Sequence, residues 1–165
     1  MERFFEKISF EQFKKDICDD NFMYNNYSLP IRKTKYSAGY DFIAMEDIEI
    51  KPGEIKKIAS GYKANMLGDE MLMLFVRSSM GFKYNVRLCN QVGIIDKDYY
   101  NNPENEGHIF IKLQNEGDKV FSVKKGEAYA QGIFCKYLTC GEEIENERTG
   151  GIGSTNKKEG KENEW

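Results

Sequence analysis

Residues 109–131 read Ile-Phe-Ile-Lys-Leu-Gln-Asn-Glu-Gly-Asp-Lys-Val-Phe-Ser-Val-Lys-Lys-Gly-Glu-Ala-Tyr-Ala-Gln, and this stretch decides the fold class. Ile109, Ile111 and Leu113 alternate with Phe110 and Lys112, the period-two pattern of a strand with one buried face. Val120 and Val123 follow, and Lys124-Lys125-Gly126 reads as a turn into a further strand over 128–138. Upstream, Ile48, Ile50, Ile55 and Ile58 flank Lys51-Pro52-Gly53, which predicts a hairpin. Met71 to Val76 is a continuous apolar run, the pattern of a buried strand. Short strands with regular turn signals point to an all-β barrel or jelly roll from residue 29 onward.

The ends of the chain differ from this middle. Residues 8–17 read as a short helix, with Ser9 as N-cap and Gln12 completing a capping box. Phe10, Phe13 and Ile17 then share one face. Residues 19–28, rich in Asn, Asp and Tyr, read as a linker. Residues 141–165 lose apolar content and gain Gly, Lys and Glu, as a tail does. Three segments are expected: a helical extension over 1–28, a β domain over 29–140, and a glycine-rich arm over 141–165. No internal repeat stands out.

The 165 residues suit one domain with a real core. A net charge of −3 argues against bulk attraction to nucleic acid or anionic lipid. No apolar run approaches the roughly 18 residues of a membrane span. The N-terminus lacks the apolar stretch of a signal peptide. The four cysteines form no C-x-x-C pair, and one histidine makes a zinc site implausible. Free thiols in a reducing, cytoplasmic compartment are the expectation.

Several segments can carry chemistry. In 88–99, Val92, Ile94 and Ile95 bracket Gly93, and Asp96, Asp98 and Tyr99 follow. Glycine in a strand marks close approach of another group, and a carboxylate beside such a slot is a candidate general base. Arg148-Thr149-Gly150-Gly151-Ile152-Gly153-Ser154-Thr155 reads either as a phosphate grip or as a flexible linker. Arg77-Ser78-Ser79 follows the apolar strand 71–76 and precedes Gly81 and Lys83, either an anion site where a strand end feeds donors into a glycine turn or an ordinary polar turn. Asp41 after Gly39, and Gln131 after Gly126, say little on their own.

Taken together, in this order, the five segments resemble the trimeric dUTPase family. The matching motifs are Ala38-Gly39-Tyr40-Asp41-Phe42-Ile43-Ala44, Arg77-Ser78-Ser79-Met80-Gly81-Phe82-Lys83 and Asn90-Gln91-Val92-Gly93-Ile94-Ile95-Asp96-Lys97-Asp98-Tyr99. Gly126-Glu127-Ala128-Tyr129-Ala130-Gln131 and the Arg148–Thr155 segment complete the set. The resemblance covers roughly residues 29–156. It implies an all-β, distorted jelly-roll (β-clip) fold carrying a short N-terminal helix and a mobile C-terminal arm. It also implies a homotrimer with active sites at subunit interfaces. The implied reaction is Mg²⁺-assisted hydrolysis of dUTP to dUMP and pyrophosphate, which limits uracil in DNA and supplies dUMP for dTTP synthesis.

Roles follow by resemblance, residue by residue. Asp96 matches the carboxylate that activates water for attack on the α-phosphorus. Tyr99 matches the tyrosine beneath the deoxyribose that leaves no room for a 2′-hydroxyl. Asn90 and the backbone of Gly93, Ile94 and Ile95 match the hairpin that reads uracil. Arg77, Ser78, Ser79 and Gln131 match phosphate-contact and interface positions, and Asp41 the residue that reaches Mg²⁺ through water. Arg148, Ile152, Gly153, Ser154 and Thr155 match the closing arm, with Arg148 acting like an arginine finger.

The chain departs from the family pattern at several positions. Ile152 replaces the usual stacking Phe, and Ala128 a basic residue. Arg148 sits one residue closer to the glycine element than in many members. The loop over 100–106 is extended by about six residues and is expected at the site rim. His108, where an acid usually sits, is expected to be structural. Two other readings compete. dCTP deaminase shares the fold and the Arg-Ser-Ser segment but needs a glutamate base in a different third motif. A non-enzymatic trimer that binds nucleotide or a regulatory protein partner as a switch draws on the extra helix, the long loop and Ile152.

Overall fold

In the computed structural model, which describes residues 2–141, 148 and 150–152, short strands dominate. The chain begins with β1 (Phe4–Lys7), α1 (Phe10–Asp16) and α2 (Asn21–Asn26). Then come β2 (Tyr40–Ile43), β3 (Ile48–Ile50), β4 (Ile55–Ala59), β5 (Tyr62–Asn65) and β6 (Glu70–Phe75). Helix α3 (Ser78–Tyr84) leads to β7 (Val86–Leu88), β8 (Gly93–Ile95) and a 3-10 turn over Lys97–Tyr99. Strands β9 (Phe110–Asn115), β10 (Phe121–Val123) and β11 (Ala128–Lys136) complete the described elements.

Every pairing is antiparallel: β2-β11-β6-β8, β4-β9-β7, β3-β10 and β1-β5. Alternation fixes which face turns inward. In β9, Ile111, Leu113 and Asn115 are buried while Lys112 is exposed. In β6, Leu72 and Leu74 are buried and Met71, Met73 and Phe75 are half-buried. That fits a strand paired on both sides, and the continuous apolar run is explained. Inward residues from all four sheets, among them Phe5, Phe42, Ile50, Tyr62, Leu72 and Leu113, form one core. The architecture is the expected all-β jelly roll.

The expected hairpin about Pro52 is not one. The turn forms, closed by Glu54 N donating to Lys51 O at 2.9 Å. Its two arms join different sheets, because β10 takes the edge of β3 and β9 the edge of β4. Asn115 holds this corner, donating from Nδ2 to Ile50 O and Lys119 O, both at 2.8 Å. It is a corner between packed sheets, which turn signals alone do not distinguish from a hairpin.

The N-terminal segment is more than a helix. β1 pairs with β5, and Phe5 enters the core. Residues 21–26, read as part of a linker, form α2, capped by Asp20 accepting from Met23 N at 2.9 Å. Its aromatics explain the docking. Tyr27 stacks on Phe13 at 5.6 Å, and Tyr24 donates to Ile8 O at 2.9 Å. Helix α1 lies where expected, and Ser9 Oγ accepts from Gln12 N at 3.1 Å. The reciprocal half of the capping box comes from elsewhere. Gln12 bonds Asp16 instead, and the Ser9 N–H donates to Glu106 at 2.9 Å.

His108 is fully buried beneath α1. Its Nε2 accepts from Gly61 N at 2.9 Å, so Nδ1 carries the proton and donates to Asp16 at 2.6 Å. Burial lowers the imidazole pKa, and Asp16 opposes that only in part. The unfolded chain therefore takes up this proton first as pH falls. The stability contributed is complete above the ordinary value near 6.5 and is lost as pH drops from there toward the folded-state value. Carboxylates titrate lower, and this is the chain's one histidine. Thermal midpoints from about pH 8 to 5.5 should decline for the wild type and stay nearly level for His108→Gln.

Candidate active site

The sequence-predicted residues that the structure describes gather in two clefts. The first, of about 400 Å³, opens beside β8. Between β7 and β8 the chain turns through Asn90 and Gln91, with Gln91 at φ 62°. Cys89 N donates to Lys112 O at 2.9 Å and ties this turn to β9. Gly93 pairs with Leu74 of β6, and a Cβ at Gly93 would lie 3.0 Å from Leu74 Cβ. The group that approaches the strand glycine is therefore the Leu74 side chain.

Asp96 precedes the 3-10 turn without capping it, which leaves its carboxylate free to face the cleft. Arg148 Nη2 donates to Asp96 Oδ2 at 2.9 Å, and Nε donates to Asp98 Oδ1 at 3.0 Å. The same guanidinium lies 5.5 Å from the Tyr99 ring centre. Tyr99 is 5% exposed. Its hydroxyl donates to His108 O at 2.8 Å and accepts from Asn105 Nδ2 at 2.9 Å. Burial raises its pKa, so it remains a neutral hydroxyl. Ile94, Ile95 and Ile152 add apolar wall, with Ile152 largely exposed at the mouth. Gly151 N donates to Glu104 Oε2 at 2.5 Å, so the loop over 100–106 reaches Gly151.

The second cleft, of about 440 Å³, contains Asp41, Arg77, Ser78, Ser79 and Gln131. Sheet register brings these distant residues together. Gln131 of β11 pairs with Asp41 of β2 on one side and Phe75 of β6 on the other. Gln131 Nε2 donates to Val76 O at 3.1 Å, and Arg77 Nε lies 3.4 Å from Asp41 Oδ1. Gly39 makes room, because a Cβ there would fall 2.3 Å from Gln131 Oε1. Ser78 and Ser79 begin α3, not the glycine turn read from the sequence. Gly81 sits inside that helix.

Asp41 is buried, and its Oδ2 has no hydrogen-bond partner. Such an oxygen needs a water or a cation nearby. Among the described residues no three acidic, His or Cys side chains form a metal cage. A single orphaned carboxylate oxygen could serve an ion that keeps waters and substrate oxygens as its other ligands, as Mg²⁺ does. Lys33 lines this cleft, and Lys57 and Lys112 line the first; no motif spacing marked them. Gly153, Ser154 and Thr155 lie outside the described residues. Among the described lining residues, none is shared by the two clefts.

A family model described as dUTPase matches residues 25–161. The chain belongs to the dUTPase family. A deoxyuridine 5'-triphosphate nucleotidohydrolase of Lactococcus lactis subsp. lactis is 48% identical over 131 residues, 78% of this chain and 87% of that one. One from Nautilia profundicola is 33% identical over 135 residues, 78% and 91% of the two chains. The crystal structure of dUTPase from Streptococcus mutans superimposes with TM-score 0.65 at 39% identity, covering 84% and 98%. A dUTPase from phage phi11 of S. aureus, at 17% identity and TM-score 0.63, shares the fold. The four cysteines are unpaired, and no helix among the described residues is long and apolar enough to cross a membrane.

Proposed function

We propose that the protein hydrolyses dUTP to dUMP and pyrophosphate, with Asp96 as general base. The observation that carries this is the Asp96 carboxylate at a cleft lined by Gly93–Ile95 and Tyr99, with Arg148 bonded to it. Uracil lies against the Asn90 turn and the β8 backbone, where edge hydrogen bonds select it and a 5-methyl group clashes. Deoxyribose rests on Tyr99. Asp96 takes a proton from water, the new O–Pα bond forms, and the Pα–O–Pβ bond breaks with its electron pair leaving on pyrophosphate. Arg148 turns from the carboxylates to the γ-phosphate, where its guanidinium offsets the charge that develops. Arg77, Ser78 and Ser79 donate to the phosphates, and Asp41, whose Oδ2 has no hydrogen-bond partner, would hold Mg²⁺. When bound, Mg²⁺ supplies positive charge to the polyphosphate.

The two clefts share no described residue, which supports a homotrimer whose neighbouring subunits join one cleft to the other. Phe82 and Leu138, both more than 90% exposed, supply apolar surface for such contacts. Four unpaired thiols fit a cytoplasmic location. Pyrophosphate release from dUTP, UTP, dCTP and dTTP, with Mg²⁺ and with chelator, tests the reading. Rapid, Mg²⁺-dependent release from dUTP alone is expected. No release in a folded, nucleotide-binding protein would overturn it and favour a regulatory nucleotide-binding trimer.

A further inference from the structure

The loop over residues 100–109 folds back on Tyr99 and holds it at the main chain and at the hydroxyl. Asn102 Nδ2 donates to the Tyr99 main-chain O at 2.8 Å, and Asn105 Nδ2 to its hydroxyl at 2.9 Å. Asn105 Oδ1 is also engaged, accepting from Asn102 Nδ2 at 2.8 Å and Gly107 N at 3.0 Å. Gly107 at φ 83° permits the tight return, since a Cβ there would meet Tyr99 O at 2.5 Å. With its oxygen doubly engaged and its nitrogen bonded to the hydroxyl, the Asn105 amide has little freedom to turn away from the tyrosine.

The N-terminal segment helps fasten this loop. Glu106 accepts from Ser9 N at 2.9 Å and Ser9 Oγ at 2.5 Å. Asp16 holds the His108 ring, and His108 O receives the Tyr99 hydroxyl. Lys63 adds a bond to Asn101 at 2.7 Å and lies 3.5 Å from Glu106. Helix α1 is thereby connected to Tyr99 through two routes, one by Glu106 and Asn105, the other by His108.

We propose that Asn105 is a positioning residue for sugar selectivity, and that the Ser9–Glu106 clasp sets its place from the N-terminal helix. This rests on the reading of Tyr99 as the floor beneath the deoxyribose. A ring fixed by two hydroxyl bonds cannot sink or tilt to admit a 2′-hydroxyl. Without Asn105 it keeps one of those bonds. The Asp96 carboxylate bonds Arg148 and not the loop, so dUTP chemistry depends on Asn105 less than ribose exclusion does.

The test compares kcat/KM for dUTP and UTP in the wild type, Asn105→Ala, Glu106→Gln and Ser9→Thr, with a thermal midpoint for each. Asn105→Ala should lower the dUTP/UTP ratio by about tenfold, chiefly by improving UTP, with kcat for dUTP little changed. Glu106→Gln should move the ratio the same way by less. Ser9→Thr, which keeps both donors, should retain the wild-type ratio. Equal losses for both nucleotides would mark a merely structural role and overturn the inference, as would an unchanged ratio in folded variants. A wild type that does not hydrolyse dUTP would overturn both this and the function it rests on.

Discussion

Asp96→Asn is expected to reduce kcat for dUTP by about 10²–10⁴ while leaving nucleotide affinity near the wild-type value. The amide keeps the shape of the carboxylate but cannot take the proton of the attacking water. The cleft surfaces at Gly93–Ile95 and Tyr99, proposed to hold base and sugar, do not change. Arg148 retains Asp98, bonded at 3.0 Å, so the arm keeps one anchor. Single-turnover rates, with equilibrium binding of a non-hydrolysable α,β-imido analogue, separate the two effects. Preserved turnover would transfer the base to Asp98, the second carboxylate on Arg148. Loss of binding in parallel with rate would make Asp96 a structural ligand of the arm.

Mixing two impaired variants should restore activity. Arg77→Ala removes a donor from the second cleft and Asp96→Asn the base from the first. If each active site joins the first cleft of one subunit to the second cleft of a neighbour, both homotrimers are impaired. Randomly reassembled trimers then contain intact sites, about a quarter of the total for an equal mixture. Denaturing the two proteins together, refolding them and assaying pyrophosphate release reads this directly. Each variant refolded alone provides the baseline. No recovery, from a mixture shown to contain hybrid trimers, would place each complete site within one chain.

Much of the β architecture was legible because its signals are local. Alternation over 109–115 marks β9, and the Lys124-Lys125-Gly126 turn marks the passage from β10 to β11. β1 was invisible because Phe-Phe-Glu-Lys becomes a strand by pairing with residues 62–65, a partner four residues of sequence cannot announce. Likewise, Gln12 satisfied the spacing of a capping box while Glu106 supplied the carboxylate from 97 residues away. α2 arose from aromatic packing on Phe13, which polar composition obscured. Within the candidate site, motifs identified most of the described lining residues but not their division between two clefts, since register decides it. Lys33, Lys57 and Lys112 carry no recognisable spacing, as isolated lysines on strands and loops seldom do.

The long span of these N-terminal contacts affects how the chain emerges during synthesis. Asp16 finds His108 only after 92 further residues have been added. At about 5–20 residues per second that interval lasts roughly 5–18 s. During it, Phe5, Ile8 and Phe13 have no finished surface to cover them. A nascent segment of this kind is a natural client for a ribosome-associated chaperone, and one of the last parts of the domain to settle.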